Sequence, residues 1–189
     1  INADFIIVDL GAGMAYNTLD FFIMSQEGIV VANPEPHAKI DAYAFVKSAV
    51  YRNLMRIFSK NKEMQLLISQ FAIAGGKALK IDDLIRALAE RDVAAGEAAQ
   101  QAVAQFRPRF IMNRVRKKDH IEDAKRFVDL VRAYLGVDMT FAGEIHEDKE
   151  VVDACEHMRP YLIDHPKCPA SGDLYGILFS LGAEDQRLR

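Results

Sequence analysis

The stretch from Phe5 to Gly13 constrains the fold more than any other part of this sequence, because an apolar run ends there in a carboxylate and two glycines. Phe5–Val8 predicts a fully buried central strand of an α/β sheet. Asp9 would then lie at the carboxyl end of that strand, where open α/β sheets bind ligands. Gly11 and Gly13 would let the backbone approach a phosphate group. The alternative is an ordinary strand-to-loop turn with a solvated Asp9.

Three more apolar segments of strand length follow, and helical patterns separate them. They are Ile29–Ala32, Phe110–Met112 and Met139–Ala142. Strands that alternate with helices are typical of a parallel sheet with helices on both faces. We therefore predict a single α/β domain over residues 1–189, with three layers, and the chain is long enough to bury its own core.

The helical patterns cover most of the remaining sequence. They span residues 16–24, 38–58, 63–74, 81–106, 121–135, 149–157 and 173–181, and a break is expected near Gly96. The connection between the second and third strand segments is much longer than a simple crossover requires. We therefore predict a helical insertion over residues 60–106.

Charge and cysteine content exclude some classes of protein. The net charge of −3 gives no basis for general binding to nucleic acid or to an anionic membrane. Two cysteines are too few for a disulfide scaffold, so a reducing cytoplasm is expected. The chain begins at Ile1, without methionine, on a strand that should be central. We therefore expect it to be a piece of a longer protein.

A series of short motifs occurs in a characteristic order. It comprises Val8-Asp-Leu-Gly-Ala-Gly13, Asn33-Pro-Glu-Pro36, Asp41-Ala-Tyr-Ala44, Asn113-Arg114, and Gly143-x-Ile-x-x-Asp148 with Ala154 downstream. This series resembles the MinD/ParA group of deviant Walker-A P-loop ATPases. The Pro-Glu-Pro and Asp-Ala-Tyr-Ala motifs most resemble the FlhG/FleN-type branch, which controls flagellar number and placement. The resemblance covers nearly the whole chain except the region around 60–106.

The resemblance implies a role for each matching residue, with ATP or ADP and Mg²⁺ as cofactors. Asp9 matches the Walker-B aspartate, which holds Mg²⁺ through water. Gly13 matches the switch-II glycine, whose N–H senses the γ-phosphate. Asn113, followed by Arg114, matches the residue that hydrogen-bonds the adenine edge, and an amide offers both a donor and an acceptor to a base.

The resemblance also implies that the loop from Glu144 to Asp148 packs against the base. Its candidate contact residues are Glu144, Ile145, His146 and Asp148. The family usually has Ile-Pro-x-Asp in this loop, whereas His146 stands here in place of the proline. We therefore expect a less rigid loop, or one that contacts the base differently.

The phosphate-binding loop of the family is not found in this sequence. The nearest match, Gly75-Gly-Lys77, lies between predicted helices and has no Ser or Thr after the lysine. In the family the P-loop and switch I precede the Walker-B strand. We therefore interpret the chain as the C-terminal two-thirds of such an ATPase domain, and we expect no ATP hydrolysis by this chain alone.

The function implied by the resemblance is a nucleotide-dependent dimerisation switch for spatial regulation of flagella, division sites or chromosomes. The expected partners are a second copy in the ATP state and proteins of polar or flagellar assembly, with no specific nucleic acid. The expected location is the cytoplasm, with peripheral contact at the inner membrane or cell pole through segments outside this chain. The alternative is a non-catalytic α/β interaction module with a relic nucleotide site or none.

Other constellations receive less support. A zinc site built from Cys155, His157, His165 and Cys168 matches no common ligand spacing. A receiver-like phospho-acceptor role for Asp9 lacks the expected acidic pair and lysine. The basic residues between 107 and 118 could contact nucleotide phosphates, a partner or DNA, but a solvated loop explains them better. A related P-loop branch, such as the cobyrinic acid a,c-diamide synthases or the Mrp-type iron–sulfur scaffolds, is a further possibility.

Overall fold

The computed structural model describes residues 6–25, 28–73 and 80–182. Within these residues the chain is mostly helical and contains a small parallel sheet of three strands, which is an α/β arrangement. In chain order the elements are α1 (Tyr16–Met24), β1 (Ile29–Ala32), α2 (Pro36–Ile57), α3 (Lys62–Ile73), α4 (Ile81–Arg91), α5 (Val93–Gln105), β2 (Arg109–Val115), α6 (Lys118–Leu135), β3 (Thr140–His146), α7 (Lys149–Glu156), α8 (Tyr161–Asp164) and α9 (Pro169–Ser180).

The described residues form two units, each with its own internal packing. The first unit comprises residues of 1–28, 43–108 and 131–138, and it is helical. The second comprises residues of 29–42, 109–130 and 139–189, and it contains the whole sheet. Asp9 and Gly13 therefore belong to the first unit, and the candidate residues between 113 and 148 belong to the second.

The sheet of the second unit has the strand order β1-β2-β3, and both neighbouring pairs are parallel. The segment Ile29–Ala32 is confirmed as a strand with the predicted bounds. β2 and β3 extend beyond the predicted segments to Val115 and His146. Polar side chains predicted to follow the strands therefore lie partly within them.

Different helices cover the two faces of β2. Phe110 is completely buried, and its ring centroid lies 4.6 Å from that of Phe127 on α6. The next residue, Ile111, faces the opposite side of the sheet because side chains alternate along a strand. It packs in a buried cluster with Ala142 of β3 and Ile177 of α9. The prediction of helices on both faces is therefore confirmed for this strand.

In the first unit, an ion pair joins α1 to α2. Arg52 donates from Nε to Asp20 Oδ1 at 2.8 Å and from Nη2 to Asp20 Oδ2 at 2.7 Å. Its guanidinium also lies over the Tyr16 ring, 4.6 Å from the ring centroid. The hydrogen bond from Arg52 lowers the pKa of the Asp20 carboxyl. This contact anchors the helix that follows Gly13.

The predicted helical segment 81–106 is broken into two helices, as expected, but the break does not involve Gly96 itself. The break lies at Asp92, whose carboxylate accepts the N–H of Ala94 at 2.9 Å and thereby caps α5. Gly96 lies inside α5, where an added Cβ would come within 2.5 Å of the Ala89 Cβ. The glycine therefore allows α4 and α5 to pack closely rather than ending a helix.

The predicted central strand at Phe5–Val8 is wrong for the residues that can be described. Ile6, Ile7 and Val8 have no regular secondary structure, and they are 67%, 91% and 55% exposed. Phe5 lies outside the described residues. An apolar run becomes a buried strand only when neighbouring strands satisfy its backbone groups, and none of the three described strands pairs with these residues. Asp9 is consequently not at a strand end.

Smaller differences concern individual residues. α8 was not predicted, and Leu130 of the amphipathic helix α6 is 45% exposed. Cys155, one of the four residues considered as zinc ligands, is exposed on α7. The segment Gly75–Lys77 lies outside the described residues. Among the described helices, none has both the length and the apolar character needed to cross a membrane.

Candidate functional site

A β-bulge places Asn113 and Arg114 inside β2, near its carboxyl end. Met112 pairs with Glu144 and Val115 pairs with His146, so two residues of β2 lie opposite one residue of β3. The sequence placed Asn113 and Arg114 after the strand, which is wrong because β2 continues to Val115. Bulges redirect side chains and are frequent beside active sites.

The backbone at the bulge is strained. Arg114 has a φ of +56°, in the left-handed region that non-glycine residues rarely adopt. Its N–H donates to Asn113 Oδ1 at 2.9 Å. This hydrogen bond fixes the orientation of the Asn113 amide and leaves its Nδ2 group available as a donor.

Glu147 binds both arginines that flank Val115, and sequence reasoning missed it. Arg114 Nη2 donates to Glu147 Oε1 at 2.8 Å, and Arg116 Nη2 donates to the same oxygen at 2.6 Å. Arg116 Nε donates to Glu147 Oε2, and the Glu147 N–H donates to the Val115 carbonyl at 3.0 Å. The hydrogen bonds from Arg116 and then Arg114 lower the Glu147 pKa to about 2. The carboxylate is therefore charged under all physiological conditions.

A cleft of about 180 Å³ opens beside these arginines, beyond the carboxyl ends of β1 and β2. It is lined by Pro34, Glu35, Arg114, Arg116 and His120. The Arg116 N–H donates to His120 Nδ1 at 3.3 Å, so the neutral ring carries its proton on Nε2. The carboxyl ends of parallel strands are the usual place for a ligand in an open α/β sheet.

The segment from Glu144 to His146, predicted as a loop, is the last part of β3. Ile145 packs against the cluster of Ile111, Ala142 and Ile177, so its side chain contributes to the core. Glu144 pairs with Met112 across the sheet. The base loop is therefore reduced to the few residues between β3 and α7.

His146 makes a bond that a proline could not make at this position. Its N–H donates to Asp173 Oδ2 on α9 at 2.8 Å, and its ring Nδ1 lies 3.0 Å from the same oxygen. The expectation of a less rigid loop, or of one that contacts the base differently, stays a prediction. The backbone at position 146 is thus held by a side-chain acceptor on a second element, α9.

Replacing His146 with proline should lower the free energy of unfolding by about 1–3 kcal/mol, because it removes the donor to the half-buried Asp173 carboxylate. Urea denaturation measures the change. His146→Ala is the matched control, since it keeps the N–H and loses only the ring contact. Equal stability of the two variants would contradict the importance of the backbone bond.

Asp148 caps two helices at once. It is the N-cap residue of α7, where its Oδ1 accepts the Glu150 N–H at 3.0 Å. Its Oδ2 accepts the N–H of Ala170, in the first turn of α9, at 3.2 Å. The bond from Glu150 is the main cause that lowers the Asp148 pKa. Both oxygens of this predicted base-contact residue are thus engaged in holding the local architecture.

Asp9 and Gly13, the predicted magnesium and γ-phosphate residues, lie in the first unit, and both are exposed. Gly13 has a φ of +127°, a conformation that other residues rarely adopt, although there is open space where its Cβ would be. A glycine is therefore required at position 13 for conformational reasons. Asp9 and Gly13 thus belong to one unit, and the candidate base-contact residues Asn113 to Asp148 belong to the other.

The other sequence constellations can be placed as well. Among the described residues, no group of three or more His, Cys, Asp and Glu side chains is arranged to hold a metal ion.

Three of the six cations between 107 and 118 have acceptors within the second unit. Arg114 and Arg116 bind Glu147, and Arg109 donates to the Ser180 carbonyl at 3.1 Å. These bonds make the basic segment less available to an external anion.

Comparison with known proteins gives a partial similarity. No family model matches the chain. The flagellum site-determining protein YlxH of Helicobacter pylori (strain ATCC 700392 / 26695) is 39% identical to it over 66 residues, which are 35% of this chain and 19% of that protein. The chain thus spans about a fifth of the length of the curated relative that it matches. Over that part, the chain is similar to a protein that determines the site of the flagellum.

Proposed function

We propose that this chain is the body of a MinD/FlhG-like P-loop ATPase, a nucleotide-dependent dimerisation switch that determines flagellum sites. One observation carries the proposal. The Asn113–Arg114 bulge of β2 is hydrogen-bonded through Arg114 to Glu147 in the β3–α7 connection, and both lie at the carboxyl ends of parallel strands. The partial similarity to YlxH supports the flagellar setting.

In this proposal the Asn113 amide reads the adenine edge, and the cleft beside Arg114 and Arg116 admits the base. Phosphoryl transfer needs charge neutralisation and a positioned water more than covalent chemistry. Asp9 would hold Mg²⁺ through water, and the Gly13 N–H would contact the γ-phosphate. A phosphate-binding loop would come from a longer polypeptide.

The switch would work through its oligomeric state. ATP would favour a homodimer, and hydrolysis would release it. Proteins of polar or flagellar assembly would bind one of the two states. Peripheral contact of this cytoplasmic protein with the inner membrane or cell pole would depend on segments outside this chain.

The test is calorimetric titration of ATP with Mg²⁺ into the full-length product of the gene. We expect binding that Asn113→Ala weakens by about tenfold or more, because an amide that pairs with a base contributes about 1–3 kcal/mol. Asp9→Ala should weaken the binding of ATP with Mg²⁺ and leave binding without the metal nearly unchanged.

The matched control is Glu97→Ala on α5, which removes one exposed carboxylate. It should bind ATP as the unmodified protein does. If the full-length product binds no ATP, or if Asn113→Ala binds it normally, the nucleotide proposal is wrong.

One observation favours the alternative, a non-catalytic interaction module. α9 packs against the sheet through Ile177, yet it exposes Tyr175, Leu178 and Phe179. A helix that is apolar on two sides is typical of an element covered by a partner. Under this alternative, the full-length product would bind no nucleotide and would retain the α/β core.

A further inference from the structure

We propose that a groove in the helical first unit binds helix α7 of a second copy of this chain, with Arg56 at the groove paired to Glu156 on that helix. The contact goes beyond the proposed nucleotide switch, because neither residue belongs to the candidate nucleotide site. It forms without nucleotide.

The groove consists of two adjacent cavities of about 380 and 230 Å³, which share Ile23, Asn53 and Ile57 as lining residues. All the residues that line them belong to the first unit. Buried Ile23 and Phe106 contribute apolar surface, and Met24 and Ile57 remain 69% and 44% exposed. Exposed apolar surface in a groove is typical of a site that binds the apolar face of a helix.

The groove carries a positive charge. Among the described residues that line it, Arg56 has the one charged side chain, which is 47% exposed. Its Nη1 lies 3.8 Å from Asp20 Oδ1, but Arg52 already binds both oxygens of that carboxylate, at 2.8 and 2.7 Å. One carboxylate thus serves two guanidinium groups, and the groove favours an acidic ligand. Two such grooves would repel each other, which excludes pairing of groove with groove.

Helix α7 has the chemistry that this groove requires. Ala154 is buried, so Val152 and Glu156, two residues before and after it, lie on the opposite face of the helix. Both are exposed, Val152 by 54%. They are four residues apart and therefore adjacent on that face. Lys149–Glu156 contains three carboxylates and one lysine, so the helix as a whole is acidic.

The other helix with an exposed apolar face, α9, matches the groove less well. Its one charged residue is Asp173, whose Oδ2 accepts the His146 N–H at 2.8 Å. This carboxylate is already engaged and is only 21% exposed, so α9 has no carboxylate left to meet Arg56. In α7 an apolar side chain and a free-standing carboxylate lie one turn apart, which favours α7 as the occupant.

The size of the helix sets the expected affinity. A helix of eight residues in a groove covers less surface than the total of about 1,200–2,000 Å² that stable interfaces bury. We therefore expect a weak association, with a Kd of about 10–100 µM. Because it depends on a charge pair at an exposed position, the association should weaken further as the salt concentration rises.

The experiment is sedimentation velocity on the nucleotide-free, full-length product of the gene, between about 5 and 200 µM. The unmodified protein should self-associate as its concentration rises. Arg56→Glu and Glu156→Arg should each weaken the association by about tenfold or more, because each places like charges opposite each other. An equimolar mixture of the two variants should restore it, since each groove then meets a helix of opposite charge.

A second variant and a matched control complete the test. Val152→Asp should weaken the association without altering Arg56 or Glu156, because it places a charge against the apolar lining of the groove. Arg86→Glu is the control, since Arg86 also lies 3.8 Å from a carboxylate of its own unit, that of Asp83. It should associate as the unmodified protein does, and circular dichroism should show that every variant is folded.

Three outcomes would overturn the proposal. The unmodified protein could remain monomeric up to about 200 µM, which is above the expected Kd. The association could be insensitive to both charge reversals, which would place it on another surface. Finally, the double variant Arg56→Glu/Glu156→Arg could behave as the unmodified protein while the mixture of single variants does not, which would place the contact within one chain.

Discussion

Replacing Phe110 with alanine should lower the free energy of unfolding by about 3–5 kcal/mol, the usual cost of removing a fully buried phenyl ring. Phe110, the second residue of β2, is 0% exposed. Its ring lies 4.6 Å from that of Phe127 and 6.4 Å from that of Phe141, measured between centroids. The substitution leaves a cavity between α6 and the sheet, under the strand that carries Asn113.

Urea denaturation followed by circular dichroism measures this effect. The matched control is Phe179→Ala on α9, where the same ring is 72% exposed. It should change the free energy of unfolding by less than about 0.5 kcal/mol, as surface substitutions usually do. A small effect at Phe110, or an equal effect at the two positions, would show that the ring is not part of the core of the second unit.

The elements with strong local signals could be predicted from sequence. The bounds of α1 and β1 are confirmed at Tyr16–Met24 and Ile29–Ala32. β1 ends just before Pro34, which cannot continue a sheet ladder. The α/β alternation also follows from periodicity, because helices and strands bury their side chains with different repeats.

The predictions that failed depend on neighbours that the local sequence does not contain. Residues 6–8 are apolar enough for a central strand, but a strand also requires a partner for its backbone groups. Gly96 has the right chemistry to end a helix, and its packing against Ala89 explains it instead. In each case a tertiary contact, or the lack of one among the described residues, decided the outcome.

The candidate site shows the same limit. Asn113 and Arg114 stand out in the sequence, but the bulge that places them depends on the register between β2 and β3. Glu147 lies more than thirty positions away from Arg114, and no local pattern marks the pair. A carboxylate within a motif loop, near two arginines that follow a strand, is the signal that could have suggested it.

Replacing Asp148 with alanine should lower the free energy of unfolding by about 2–3 kcal/mol, because one carboxylate caps α7 and also accepts an N–H from the first turn of α9. Urea denaturation measures the change. Asp153→Ala is the control, since it removes an exposed carboxylate from the same helix, and it should have little effect.

The same bonds give the effect of Asp148 a pH dependence of known sign. They lower its pKa below the ordinary value of 3.8. The stabilisation is therefore complete above the pKa of the unfolded chain, and it is lost as the pH falls through the lower pKa of the folded state. The difference in unfolding free energy between the unmodified protein and Asp148→Ala should be constant near neutral pH and shrink below about pH 4. A difference independent of pH down to about pH 2 would contradict the double cap.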